Sequence, residues 1–264
     1  MKAEPMTRHA SVGIPSPESG CSGCKDDIDL GFEFEYAYQP IVDIRTRTIF
    51  AHEALVRGPA GESAFSVLEK VNDTNRYRFD QACRVKAVAT AARLGMTTYL
   101  SINFLPNAVY RPEACIQSTF KAAREHGFPH EKIIFEVTEG ERVQDRAHLL
   151  NIFRKYSEFG FKTAIDDFGA GYAGLNLLSG FQPTILKLDM DLIRNIDTSP
   201  ARQAIVKGIV LTASLINSQI VAEGVETKAE KDYLASVGIS LMQGYYFCKP
   251  VFQGLGEIDP AVWQ

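Results

Sequence analysis

The sequence predicts an α/β fold: a modified TIM-type (β/α)8 barrel whose first strand runs antiparallel to the others. Three observations lead there. From residue 37 onward, eight strand-like runs alternate with helical patterns, the signature of a parallel sheet closed into a barrel. Only the four residues IRTR join the first two runs, too few for the crossover that parallel strands need. Polar residues collect at the C-terminal ends of the runs, where such barrels carry their sites.

The strand-like runs are AYQPIVD (37–43), TIFAHEALV (48–56), TTYLSINF (97–104), KIIFEVTE (132–139), FKTAIDDF (161–168), ILKLDMD (185–191), QIVAEGV (219–225) and LMQGYYF (241–247). Helical periodicity appears around 64–72. It recurs in FDQACRVKAVATAARLG (79–95), with apolar residues three and four apart. RAHLLNIFRKYSEFG (146–160) ends in a glycine stop, as does KAEKDYLASVG (228–238). SPARQAIVKGIVLTASLIN (199–217) opens on Ser-Pro, a cap and first-turn pair.

The bulk properties bound the rest. The chain has 264 residues, 45% of them hydrophobic, which suits one large domain. Its formal net charge of −4 advertises no surface for a nucleic-acid polymer. No apolar run reaches the roughly 18 residues of a membrane span. Residues 1–30 are rich in Pro, Ser and Gly, lack a signal-peptide core and read as a flexible tail. Residues 31–264 read as the barrel domain. Five cysteines, an odd number in a long chain, fit a reducing cytoplasm. Cys21 and Cys24 form a lone CxxC in the tail. It reads as two thiols in an unstructured segment, with an intermolecular metal or disulfide clip as the alternative.

The strand ends carry Glu53, Asn103, Glu136, Asp166, Asp167, Lys187, Asp189, Glu223 and Gln243, each preceded by apolar residues. Gathered acids repel one another unless cations neutralise them. Oxygen-only ligands suit Mg²⁺ or Mn²⁺ rather than zinc. Two such ions roughly 3.5–4 Å apart can clamp both oxygens of a phosphoryl displacement. Neighbouring residues of a strand face opposite ways, so the pair Asp166-Asp167 needs an explanation. The expectation is that the strand ends at Asp166 and the chain turns at 167–169, which lets both carboxylates face the barrel mouth. Glycines 169, 171 and 174 then read as a mobile, closing loop. Ca²⁺ is expected to occupy such a site without supporting the reaction, because it prefers longer, looser coordination.

The block AHEALVRG resembles the name-giving motif of the EAL-domain cyclic-di-GMP phosphodiesterases. YQPIV, SINF, FEVTE, AIDDFGAGY, LKLD, AEGVET and QGYYF follow the family's pattern over about residues 33–252. The resemblance implies a barrel with one reversed strand, two Mg²⁺ or Mn²⁺ ions, hydrolysis of cyclic di-GMP to linear pGpG, and a homodimer. It further implies that Glu53, Asn103, Glu136 and Asp166 hold the first metal. Asp166 would bridge to a second ion held by Asp167 and Asp189. Lys187 and Glu223 match the residues that activate or orient the attacking water, with the choice of base open. Gln39, Arg57 and Gln243 match ligand contacts or site-shell residues, and Glu139 matches the acid that anchors the loop after the aspartate pair. Leu105, Gly58 and the loop GAGYAGL depart from the family pattern without removing a metal ligand. A receptor that binds without cutting, an enolase-type enzyme and a protein-binding regulator are the rival readings. The enolase type would need a capping domain that the tail is too short to supply.

Overall fold

The computed structural model describes residues 30–140, 145–171 and 174–263; Cys21 and Cys24 lie outside them. Nine strands form one sheet: β1 (Glu35–Asp43), β2 (Thr48–Arg57), β3 (Tyr99–Asn103), β4 (Ile133–Thr138), β5 (Lys162–Phe168), β6 (Ile185–Leu188), β7 (Gln219–Ala222), β8 (Leu241–Met242) and β9 (Val251–Phe252). The helices are α1 (Phe65–Leu68), α2 (Arg76–Arg93), α3 (Pro112–Cys115), α4 (Gln117–Glu125), α5 (Arg146–Glu158), α6 (Gly174–Gly180), α7 (Met190–Ile193), α8 (Pro200–Leu215) and α9 (Lys228–Ser236).

The order β2-β3-β4-β5-β6-β7-β8-β1, with β1 pairing back onto β2, closes the barrel. β1 is antiparallel to β2, as the short IRTR link requires, and Asp43 opposes Thr48 at the turn. That turn closes on the bond from Arg47 N to Asp43 O (2.8 Å), and the Asp43 side chain accepts from Arg45 N at 2.9 Å. The remaining pairs from β2 to β8 are parallel.

Between barrel and helices lies the main core. α5 shows how a helix earns its place in it. Asp145 caps its start, accepting from Ala147 N (2.8 Å) and His148 N (3.2 Å). Leu149, Ile152, Phe153 and Tyr156 fall at helical spacing and are buried. Burying each apolar side chain of this size stabilises by about 1.5–3 kcal/mol. The chain then turns at Gly160, whose φ of +87° suits glycine. Inside the barrel, Ile41, Ala51, Ile134, Ala164, Ile185, Val221 and Leu241 form a separate apolar plug, with Phe50 and Tyr99 packed against it.

Several elements differ from the sequence expectation. α3, α4, α6 and α7 were not anticipated. The run 185–191 stops at Leu188, where α7 begins with Asp189 as its N-cap. The run 241–247 is a strand only at Leu241–Met242. Beyond it Gly244 packs so closely on Val225 that an added Cβ would sit 2.1 Å from the Val225 carbonyl oxygen. That contact draws the chain off the sheet. It returns as β9, which pairs with Ala37 and Tyr38 on the stretch of β1 that β8 leaves free.

Candidate functional site

Strand side chains that share a face recur every second residue. Two residues beyond the apolar plug, the inward positions become Gln39, Glu53, Ser101, Glu136, Asp166, Lys187, Glu223 and Gln243. The polar centre is thus the next layer of the same barrel. Lys187 Nζ sits within it, 3.4 Å from Glu53, 3.0 Å from Glu136, 2.9 Å from Asp166 and 2.8 Å from Glu223. Its side chain is 1% exposed, against 15% for Glu223. Gln243 Nε2 donates to Glu53 (2.8 Å) and to Gln39 (3.1 Å), and Asn103 Nδ2 donates to the other Glu53 oxygen at 3.2 Å. Gln39 and Glu53 oppose each other in the β1–β2 register. Ser101 donates to Glu136. The sequence reading passed over this serine, although it stands in the quoted SINF one turn of the period from Asn103.

Four acids, Glu53, Glu136, Asp166 and Glu223, surround this ammonium group, and Asp167 and Asp189 add two more carboxylates on the cleft wall. Burial pushes Glu136 up to about 8, against the pull of Lys187. Burial, with Asp166 next to it, raises Asp167 to about 6. Burial likewise holds Glu223 well above the usual carboxylate range. Burial works against the Lys187 ammonium, yet the carboxylates around it, Asp166 foremost, hold it well above its ordinary value. Excess negative charge in a dry site is the condition that divalent cations relieve.

The geometry fits them. Oxygens of Glu53, Glu136 and Asp166 lie within 4.8 Å of one another, and so do those of Asp166, Asp167 and Glu223. Asp166 belongs to both sets. The adjacent aspartates reach this arrangement through a bulge rather than a strand end. β5 continues to Phe168, but its register against β6 shifts between Ile165 and Phe168, and Asp167 adopts φ +52°. A bulge adds a residue and re-aims side chains, so both carboxylates turn to the mouth. This corrects the expected ending at Asp166.

Glu139 accepts from Gly169 N (2.7 Å), Gly171 N (3.3 Å) and Gly174 N (2.7 Å). The glycines are explained by close approach as well as by freedom. A Cβ on Gly174 would lie 2.6 Å from the Phe168 ring and 2.9 Å from the Glu139 carboxyl carbon. Glu139 therefore ties the loop back to the aspartate strand.

A cleft of about 260 Å³ opens over the centre, lined by Gln39, Glu53, Asp167, Asp189, Glu223 and Gln243, with Met190 and Tyr245 on its wall. Lys187 does not line it. Asp189 reaches the cleft while its carboxylate caps Asp191 N at 2.9 Å. Arg57 is placed elsewhere: its Nη1 donates to Val56 O (2.8 Å), and it lines an adjoining, more apolar cavity of about 290 Å³ that also includes Asn103, Leu105 and Thr138.

Fold and site together define a barrel protein with a reversed first strand and a cluster of oxygen donors suited to cations at its mouth. A family model for the EAL domain matches residues 25–250, and the chain belongs to that family. A crystal structure of a standalone versatile EAL protein from Vibrio cholerae O395, in its c-di-GMP-bound form, is 54% identical with a TM-score of 0.86. The match covers 90% of this chain and 100% of that one. The Klebsiella pneumoniae BlrP1 complex with manganese and cy-diGMP is 37% identical with a TM-score of 0.80, over 85% of this chain and 58% of that one. Among curated relatives, the blue light- and temperature-regulated antirepressor BluF of Escherichia coli is 33% identical over 84% of this chain. The cyclic di-GMP phosphodiesterase RocR of Pseudomonas aeruginosa is 29% identical over 83%. The match spans 56% and 58% of these two relatives' own lengths.

Proposed function

We propose that this chain hydrolyses cyclic di-GMP to linear pGpG, using two Mg²⁺ or Mn²⁺ ions at the barrel mouth. The observation that carries the reading is the place of Asp166 in two overlapping oxygen clusters. The family and the ligands named in the related structures support it. Glu53, Asn103, Glu136 and Asp166 would hold one ion; Asp166, Asp167 and Asp189 would hold the other. Bound there, such ions supply a more acidic water and charge neutralisation at the phosphate.

The chain's own groups do the rest. Glu223 lines the cleft and Lys187 does not, so Glu223 is assigned to accept the proton of the attacking water. The water oxygen bonds to phosphorus, the P–O3′ bond breaks, and the released 3′ oxygen takes a proton from solvent. Lys187 holds the carboxylates of Glu136, Asp166 and Glu223 in fixed relation. Gln39 and Gln243 orient Glu53, and Glu139 steadies the loop after Asp167. Arg57, in the adjoining cavity, offers a guanidinium fork to a ligand phosphate.

The helix α8 supports a homodimer. Ile205, Leu211 and Leu215 are 51%, 61% and 74% exposed, and Ala201, Ala204 and Gly208 extend the same apolar stripe. Such a stripe marks an interaction surface, and C2 pairing is the commonest way to bury one. No helix among the described residues is long and apolar enough to cross a membrane. A cytoplasmic location is the reading that suits the free Cys83, Cys115 and Cys248. Residues 31–264 are assigned as the working unit, so deletion of 1–28 should leave turnover nearly intact.

The second reading is a non-catalytic cyclic-di-GMP receptor or regulatory protein on the same fold, and the antirepressor name of BluF favours its regulatory side. Incubation of the purified protein with cyclic di-GMP and Mg²⁺ or Mn²⁺, followed by chromatography, separates the two. The expected result is pGpG accumulating stoichiometrically. Binding without turnover would establish the receptor reading, and direct conversion to GMP would make the site a general phosphodiesterase.

A further inference from the structure

Glu230 lies on α9, outside the cleft, and is 3% exposed. Both of its carboxylate oxygens are taken up by backbone N–H groups. Oε2 accepts from Glu226 N (2.9 Å) and Thr227 N (3.0 Å), and Thr227 Oγ1 accepts from Glu230 N at 3.2 Å. Those bonds make a capping box. Oε1 does something a cap does not require: it accepts from Asn195 N at 2.9 Å, across 35 residues of chain.

The two segments so joined both lead to the cleft. Asn195 follows α7, whose N-cap is Asp189. Glu226 and Thr227 follow Glu223. Secondary contacts run along the same seam. Gly224, at φ +64°, lies so close to Met190 that an added Cβ would be 2.4 Å from the Met190 Cβ. Arg194 and Glu226 approach to 3.7 Å with both side chains half exposed. Those contacts are weak: one is van der Waals and the other a solvent-screened pair. The buried Glu230 carboxylate is the strong link, because hydrogen bonds to an ionised acceptor are about twice as strong as neutral ones.

We propose that Glu230 is a positioning residue, a buried staple that fixes the loop carrying Glu223 against the turn carrying Asp189. It thereby sets the relation between the proton acceptor and one edge of the cation centre. The inference rests on the phosphodiesterase reading for its effect on turnover, but the staple itself does not.

The test compares Glu230→Gln with Thr227→Ala. In Glu230→Gln one acceptor oxygen becomes an NH2 that faces a backbone donor. Either the Asn195 bond or the Glu226–Thr227 pair is lost whichever way the amide is turned. Thr227→Ala weakens the same helix cap but leaves Glu230 bound to both segments. Glu230→Gln is expected to lower kcat about 10-fold or more, the effect of losing one charge-assisted hydrogen bond. The Mn²⁺ concentration for half-maximal rate should rise several-fold, with KM for cyclic di-GMP within about 2-fold. Thr227→Ala should lose comparable thermal stability and keep kcat within about 2-fold of wild type. Amide exchange, read without substrate or metal, should accelerate at Asn195 or at Glu226 in Glu230→Gln only. Wild-type kcat in Glu230→Gln, or an equal fall in both variants, overturns the positioning role. Unchanged exchange at both amides overturns the staple. A wild-type protein that turns over no cyclic di-GMP sinks the phosphodiesterase reading instead, and the exchange result still decides the staple.

Discussion

Asp80→Asn is expected to destabilise the barrel by about 3–5 kcal/mol, the cost of leaving a buried charge without its partner. Arg84 is 0% exposed and Asp80 is 2% exposed, both on the inner face of α2. Their side chains approach to 2.8 Å. Asp80 also accepts from Leu105 N at 2.9 Å, two residues past Asn103. Asparagine keeps the volume, so no cavity term enters, but it sets an NH2 or a neutral oxygen against the guanidinium. Arg84 would retain the Tyr156 hydroxyl at 2.6 Å and the faces of Phe104, Phe135 and Tyr156 at 5.5, 5.0 and 5.6 Å. Those contacts keep the cation tolerable, and the variant should fold. For a domain of this size each kcal/mol shifts Tm by about 2–4 °C, so the melting point should drop by roughly 6–20 °C. Urea unfolding followed by circular dichroism gives the free energy directly. The double variant Asp80→Asn with Arg84→Met should recover part of the loss, since it removes the buried charge that the single variant leaves without its partner. A single variant within 1 kcal/mol of wild type, or a double variant no more stable than the single, would refute the account.

Three further outcomes follow from the site and its surroundings. Asp167→Asn conserves volume but weakens a ligand of the second ion, so hydrolysis should vanish in a protein with unchanged melting; near-normal turnover would remove the two-ion assignment. Ca²⁺ should displace Mn²⁺ in a binding titration yet give little or no pGpG, because its longer, looser coordination misplaces water against phosphorus; equal rates with Ca²⁺ and Mg²⁺ would contradict a geometry-sensitive pair. His52, 2% exposed with Nδ1 2.8 Å from Thr98 Oγ1, is lowered by burial from 6.5 to about 4. The unfolded chain therefore binds that proton first, and stability present above pH 6.5 should be lost as pH falls towards 4, by roughly 3 kcal/mol. His52→Gln should flatten that part of the stability–pH curve, and an unchanged slope would remove His52 as its source.

The barrel was legible because its signals are local: alternation, helix stops and a link too short to cross over. The acids were legible because a period of two carries an apolar plug residue on to a polar one at Ala51–Glu53, Ile134–Glu136 and Ala164–Asp166. What escaped depends on contacts that sequence spacing does not carry. The bulge at Asp166-Asp167 arises where β5 meets β6. The early end of β8 comes from the close packing of Gly244 on Val225, residues 19 apart. α2 reads as amphipathic, yet the positions i and i+4 that turn inward at Asp80 and Arg84 are charged, and only a partner such as Tyr156 on α5 makes that tolerable. Glu230 carries no signal in the sequence beyond its helix, because half of its role is a bond to Asn195, on another element.

The reversal of β1 decides which rim of the barrel the rest of a polypeptide can reach. In a barrel whose strands all run one way, the chain enters on the rim remote from the reaction centre. Here Glu35 opposes Arg57, the C-terminal residue of β2, so whatever precedes Glu35 joins at the working rim. β9 lies against Ala37 and Tyr38 on that same side. A module grafted ahead of residue 35 therefore joins at the rim that carries the cleft. One inverted strand puts the start of the barrel and its polar mouth on the same rim.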